Sequence, residues 1–154
     1  APHNSAKDTA ARLGVKNVVF VDTTINNTRV SEIYNTFDVH CHSNNIGETF
    51  GNSIAEAMIH GRPTVSHRGL AQHWCQAHKS LFGDMTKYYV EENSPSSIVP
   101  HYAMLMSELR DNPETYATTA QYAFTRANAL YRADVVTNQY VAFYAEILGI
   151  VPRW

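Results

Sequence analysis

A chain of 154 residues with a formal net charge of −2 is sized for one domain with one continuous core, so residues 1–154 are read as a single unit carrying a single site. Its 12 lysines and arginines are scattered among 14 aspartates and glutamates, which excludes the basic footprint of a nucleic-acid or anionic-membrane binder. The two cysteines, Cys41 and Cys75, have no framework spacing, and no apolar run approaches the about 20 residues of a membrane span; with no signal peptide leading the chain, a cytoplasmic protein without a transmembrane segment is expected.

Residues 6–13, "AKDTAARL", read as the end of a helix stopped by Gly14, and the valine-rich "NVVFVD" (17–22) as a short buried strand. In 28–37, Val30, Ile33, Tyr34 and Phe37 fall at helical spacing behind a Thr28 cap; "DVHCHS" (38–43) is a second strand. After a polar loop, 52–60 places Ile54, Ala57 and Met58 on one helical face and ends at Gly61, before a third strand at 64–67. A helix at 71–79 and a fourth strand at 87–92 follow. Strands separated by helices in this rhythm predict parallel βαβ units. Beyond Ser94 only helices are expected: 96–110, a stop at "DNPE" (111–114), a long helix through Tyr116, Ala120, Ala123, Phe124 and Ala127, and a last one at 134–148 ended by Gly149 and Pro152. The fold class is therefore α/β, a Rossmann-like parallel sheet of about four strands flanked by helices, with a helical C-terminal tail.

The stretch 43–53 is a loop beyond the carboxyl end of a strand, the place where open parallel sheets take ligands. A helix starting near Gly51 or Asn52 directs its leading N–H groups and positive dipole end outward, which suits a phosphate, and Gly51 lets the backbone come close. Glu56 lies about one turn inside that helix and Glu48 lies before it. Carboxylates bind hydroxyls well, so two acids flanking an anion site suit a sugar–phosphate–nucleoside better than a bare phosphate. Polar loops before capped helices are also ordinary, and spacing alone leaves Glu56 as a solvated helix residue and Glu48 as a loop charge.

The order of "LGVKNVVFVD", "VSEIYNTFDVHCHS", "GETFGNSIAEAMIHGRPTVSHRG" and "DNPETYATTA" resembles the C-terminal, nucleotide-sugar-binding half of the family-four retaining glycosyltransferases of GT-B architecture. That resemblance covers nearly the whole chain and implies roles for matching positions. Glu48 matches the glutamate that reaches the donor sugar and is the implied catalytic residue. Thr49, Phe50, Gly51, Asn52 and Ser53 match the diphosphate-binding loop, and Glu56 matches the ribose binder. Thr49 stands where the family has glycine, and Asn52 where it has an apolar residue. The implied donor is a UDP- or GDP-sugar, with an unidentified acceptor and no further cofactor.

Against the family pattern, the acceptor domain and the first two strands of this half-domain are absent, with the arginine and lysine that grip the diphosphate. The strands at 17–22 and 38–43 would then flank a gap of unpaired backbone groups. Either the neighbours close up, or a missing segment, a partner chain or a second copy in a homodimer completes the sheet. A non-catalytic nucleotide-sugar-binding or assembly module is the alternative function.

Two other chemistries are weaker. Residues 51–55 approximate a nucleophile elbow with Asp84 and His101 downstream, but Ser53 follows its strand by about ten residues, where an elbow serine sits on the turn itself. His40 and His42 share one strand face with Cys41 opposite, and His73, Cys75 and His78 cluster in sequence; neither group has zinc spacing, so no metal is expected. His42 and His67 end strands and face the ligand side.

Overall fold

The computed structural model describes residues 6–21, 29–43, 50–67, 80–90 and 94–150. The chain divides into two compact units, Ala1–Val30 and Ser31–Trp154.

In the first unit, helix α1 (Ala6–Arg12) closes as expected at Gly14, whose φ of 68° only glycine adopts at no cost. The Gly14 N–H bonds Ala11 C=O at 3.1 Å and the Val15 N–H bonds Ala10 C=O at 2.9 Å, the double bond of a Schellman end. The strand expected at 17–22 is not formed over residues 17–21, and Asp22 lies outside the described residues. Valine runs become strands only when a neighbour takes up their backbone groups, and here Val19 is 87% exposed.

Helix α2 (Val30–Tyr34), all but its first residue in the second unit, is shorter than the 28–37 expected and ends in a turn, with Tyr34 buried. The Thr28 cap lies outside the described residues. Three of the four expected strands pair in parallel, in the order β1 (His40–Cys41), β2 (Thr64–His67), β3 (Tyr89–Val90). His40 pairs with Thr64 and Cys41 with Val65; Ser66 pairs with Tyr89 and His67 with Val90. All four residues of β2 are buried, as the middle strand of a covered parallel sheet should be.

Helix α3 (Asn52–Ile59) joins β1 to β2 and turns its apolar face inward, burying Ile54, Ala55, Ala57 and Met58. Ile54 and Met58 are fully buried, each contributing about 2 kcal/mol. Gly61, at φ 69°, ends the helix where sequence placed the stop. Three helices follow β3: α4 (Pro95–Asp111), α5 (Pro113–Tyr131) and α6 (Ala133–Leu148). Ala123 and Ala127 of α5 are fully buried; methyl side chains let α5 lie close against α3, and Asn128 Nδ2 donates to Ile59 C=O at 3.2 Å. The 111–114 stop is a corner made by one residue. The Asn112 N–H bonds Glu108 C=O at 3.0 Å to close α4, and its Oδ1 accepts from Thr115 N–H at 3.0 Å to cap α5.

Helix α6 packs on α5, buries only Ala145 and leaves Tyr140, Phe143, Tyr144 and Ile147 exposed. Among the described residues no helix is long and apolar enough to cross a membrane. The architecture is mixed α/β: a three-stranded parallel sheet flanked by helices with a helical C-terminal tail, consistent with a partial GT-B-like domain.

Candidate functional site

The carboxyl ends of β1 and β2 and the start of α3 meet at one end of the sheet. Gly51 stands at the helix start with φ 86° and ψ 55°, in the left-handed region, and is buried. This conformation turns the chain sharply from Phe50 into α3. Among the described residues no side chain caps the helix; its first ladder bonds run from the Ile54 and Ala55 N–H groups to Gly51 C=O at 3.0 and 3.3 Å. The N–H groups of Asn52 and Ser53 precede that ladder and carry the positive end of the helix dipole. Asn52 is exposed and Ser53 half-buried.

Ser53 and His42 join the helix start to β1: His42 Nδ1 and Ser53 Oγ lie 3.1 Å apart. Behind them, Tyr102 of α4 donates to His42 C=O at 2.6 Å and its oxygen lies 2.9 Å from His67 Nδ1. One buried hydroxyl thus holds the ends of β1 and β2 against α4. His67, expected to face a ligand, is instead buried against Tyr102, and burial first and the His42 charge second keep its imidazole below the usual range. His40 is pushed down to about 4 by burial and then by His42, whose ring is 5.8 Å away. His40 and His67 are therefore neutral at pH 7 and add no fixed positive charge for a diphosphate.

Glu56 projects from the exposed side of α3, and its Oε2 accepts a 2.9 Å hydrogen bond from the Tyr34 hydroxyl. Sequence treated Tyr34 only as an apolar helix position. Nothing local signals a partner 22 residues away. Phe50 meets the Tyr131 ring edge-on at 5.0 Å, and Phe50, Asn52 and Glu56 border an open, mainly apolar cavity of about 610 Å³ between α3 and the α5–α6 pair.

Of the residues predicted for the site, the structure brings Phe50, Gly51, Asn52, Ser53 and Glu56 together along the start of α3. Glu48 and Thr49 lie outside the described residues. The hydrolase constellation is not assembled around Ser53: its hydroxyl faces His42, whereas His101 lines a cavity with Lys87 and Glu108, and Asp84 lines another with Glu114 and Tyr122. Among the described residues no group of three His, Cys, Asp or Glu side chains is placed to hold a metal ion. His73, Cys75 and His78 lie outside them.

Residues 2–108 match the family described as Glycosyl transferases group 1. With more than half of its length matched, the chain belongs to that family, and glycosyl transfer between a donor and an acceptor is the chemistry of its class. No curated protein and no solved structure gives a significant match to the chain.

Proposed function

We propose that this chain is the donor-binding, C-terminal half of a GT-B, family-four retaining glycosyltransferase, moving a sugar from a nucleotide diphosphate such as a UDP- or GDP-sugar to an acceptor of unassigned chemistry. The observation that carries this reading is the start of α3: a left-handed Gly51, leading amides that no described side chain caps, and Glu56 one turn further on. The amides of the 49–53 loop receive the diphosphate and stabilise the charge that it gains as it departs. Glu56 takes the ribose hydroxyls. Glu48, by its match to the family motif, orients the donor sugar.

In this reading the bond from the anomeric carbon to the diphosphate oxygen breaks, a new bond forms to the acceptor hydroxyl oxygen on the same face, and the hydroxyl proton passes to the departing diphosphate. The acceptor is held by a second domain, or by a partner chain or second copy that completes the sheet. A calorimetric titration tests the donor half: Glu56→Ala weakens UDP or GDP binding by roughly 1–3 kcal/mol. Unchanged affinity removes Glu56 from the site. Turnover of a nucleotide sugar once the complementary half is supplied separates an enzyme from a module that only binds.

A further inference from the structure

The Glu56 carboxylate does not swing freely from α3. Its Oε2 is hydrogen-bonded to Tyr34, a residue only 9% exposed and fixed by its own neighbours. The Tyr34 C=O accepts from Arg62 Nε at 2.9 Å. Its ring stacks on His60 with centroids 5.4 Å apart, and meets Phe37 and His40 edge-on at 5.6 and 6.2 Å. A ring packed in this way has one hydroxyl direction. Burial, and then the adjacent Glu56 oxygen, raise the phenol above its ordinary range, so it remains a donor at neutral pH.

A phenol donating to a carboxylate fixes the plane of its two oxygens. Oε1 and the second lone pair of Oε2 stay available on a side chain that is otherwise exposed. A vicinal diol can use both of these acceptors at once. A sugar with one hydroxyl at that place can use only one. Without Tyr34 the carboxylate would rotate, and ordering it would cost side-chain entropy each time a ligand bound.

We propose that Tyr34 is a positioning residue that presets Glu56 as a fixed acceptor for a vicinal diol, and that this pair makes the site select ribonucleotides over their 2′-deoxy counterparts. The inference rests on the donor-site reading above. It adds a determinant of specificity that lies outside the loop and reaches the ligand only through Glu56.

The experiment compares the Kd of UDP with 2′-deoxy-UDP, and of GDP with 2′-deoxy-GDP, for the intact chain and for Tyr34→Phe, Glu56→Asp and Glu56→Gln. The native protein is expected to prefer the ribonucleotide by roughly ten-fold or more, the scale of one hydrogen bond to a charged group. Tyr34→Phe should erase most of that preference while the protein remains folded by circular dichroism. Glu56→Asp, an exposed change that withdraws the carboxylate from Tyr34 without touching the core, should do the same if Tyr34→Phe does not fold. Glu56→Gln should abolish the preference. A ribose preference that survives both Tyr34→Phe and Glu56→Asp, alongside weaker binding in Glu56→Gln, overturns the role of Tyr34 and leaves the donor site intact. Failure of the native protein to bind any of the four nucleotides overturns the donor-site reading and this inference with it.

Discussion

The Tyr102 hydroxyl donates to His42 C=O at 2.6 Å while its oxygen lies 2.9 Å from His67 Nδ1, so one side chain of α4 ties the ends of two neighbouring strands. Tyr102 is buried, and its loss takes one hydrogen bond from the His42 carbonyl and one from the His67 imidazole. Tyr102→Phe is therefore expected to lower stability by about 1–3 kcal/mol in urea unfolding, with little change in the m-value. A midpoint equal to that of the native protein would mean that water replaces the hydroxyl at no cost.

Acid should destabilise the second unit through His40. Its imidazole titrates at about 4 in the fold, below its ordinary 6.5, because burial opposes the charged form and His42 adds repulsion. Below about 6.5 the unfolded chain binds a proton that the folded one does not, so stability falls as pH drops from about 6.5 to about 4 and is fully present above that window. The loss attributable to His40 is up to about 3 kcal/mol. His40→Gln should flatten the slope of unfolding free energy against pH between those limits. Parallel slopes for the two proteins would remove His40 as the cause.

Gly51 combines a φ of 86° with the duty of starting α3. A Cβ in that left-handed conformation costs about 1–2 kcal/mol, so Gly51→Ala should lower the thermal midpoint, whereas Gly51→Asn should recover part of the loss because asparagine enters this region more readily. In the donor-site reading both variants also weaken UDP binding, and the alanine variant more than the asparagine one. A titration in which Gly51→Ala binds UDP as tightly as the native chain would show that the loop's shape does not matter to the ligand.

Asn112→Ala should cost about 1 kcal/mol by removing the α5 cap. Asn112→Asp, which retains the acceptor, should cost less. The comparison is made by chemical denaturation, and equal losses for the two substitutions would assign the effect to something other than the cap.

The helix ends were readable because their signals are local. Gly14, Gly61 and Gly149 take positive φ where the sequence places helix stops, and Asn112 with Pro113 forms the expected corner. The parallel sheet also follows from the alternation of apolar runs, although β1 and β3 shrink to two residues each. The run at 17–21 illustrates the limit of such patterns: a valine-rich segment states that it can pair, and its partner is decided elsewhere in space. Motif spacing singles out the 49–53 loop and Glu56 as candidates, whereas Tyr34 and Tyr102 carry no such signal. Each acts across elements, 22 residues from Glu56 and 60 residues from His42, and no window of sequence contains both partners.

The Asn112 corner has a dynamic consequence. Because a single residue ends α4 with its main chain and begins α5 with its side chain, the two helices share a fraying point. Opening of the last turn of α4 takes the first turn of α5 with it, so amide hydrogens on both sides of the corner should exchange with solvent as one cooperative event. Helix α5 in turn lies against α3, through Ala123, Ala127 and Asn128. The Asn112 corner and α3 are therefore mechanically linked through α5.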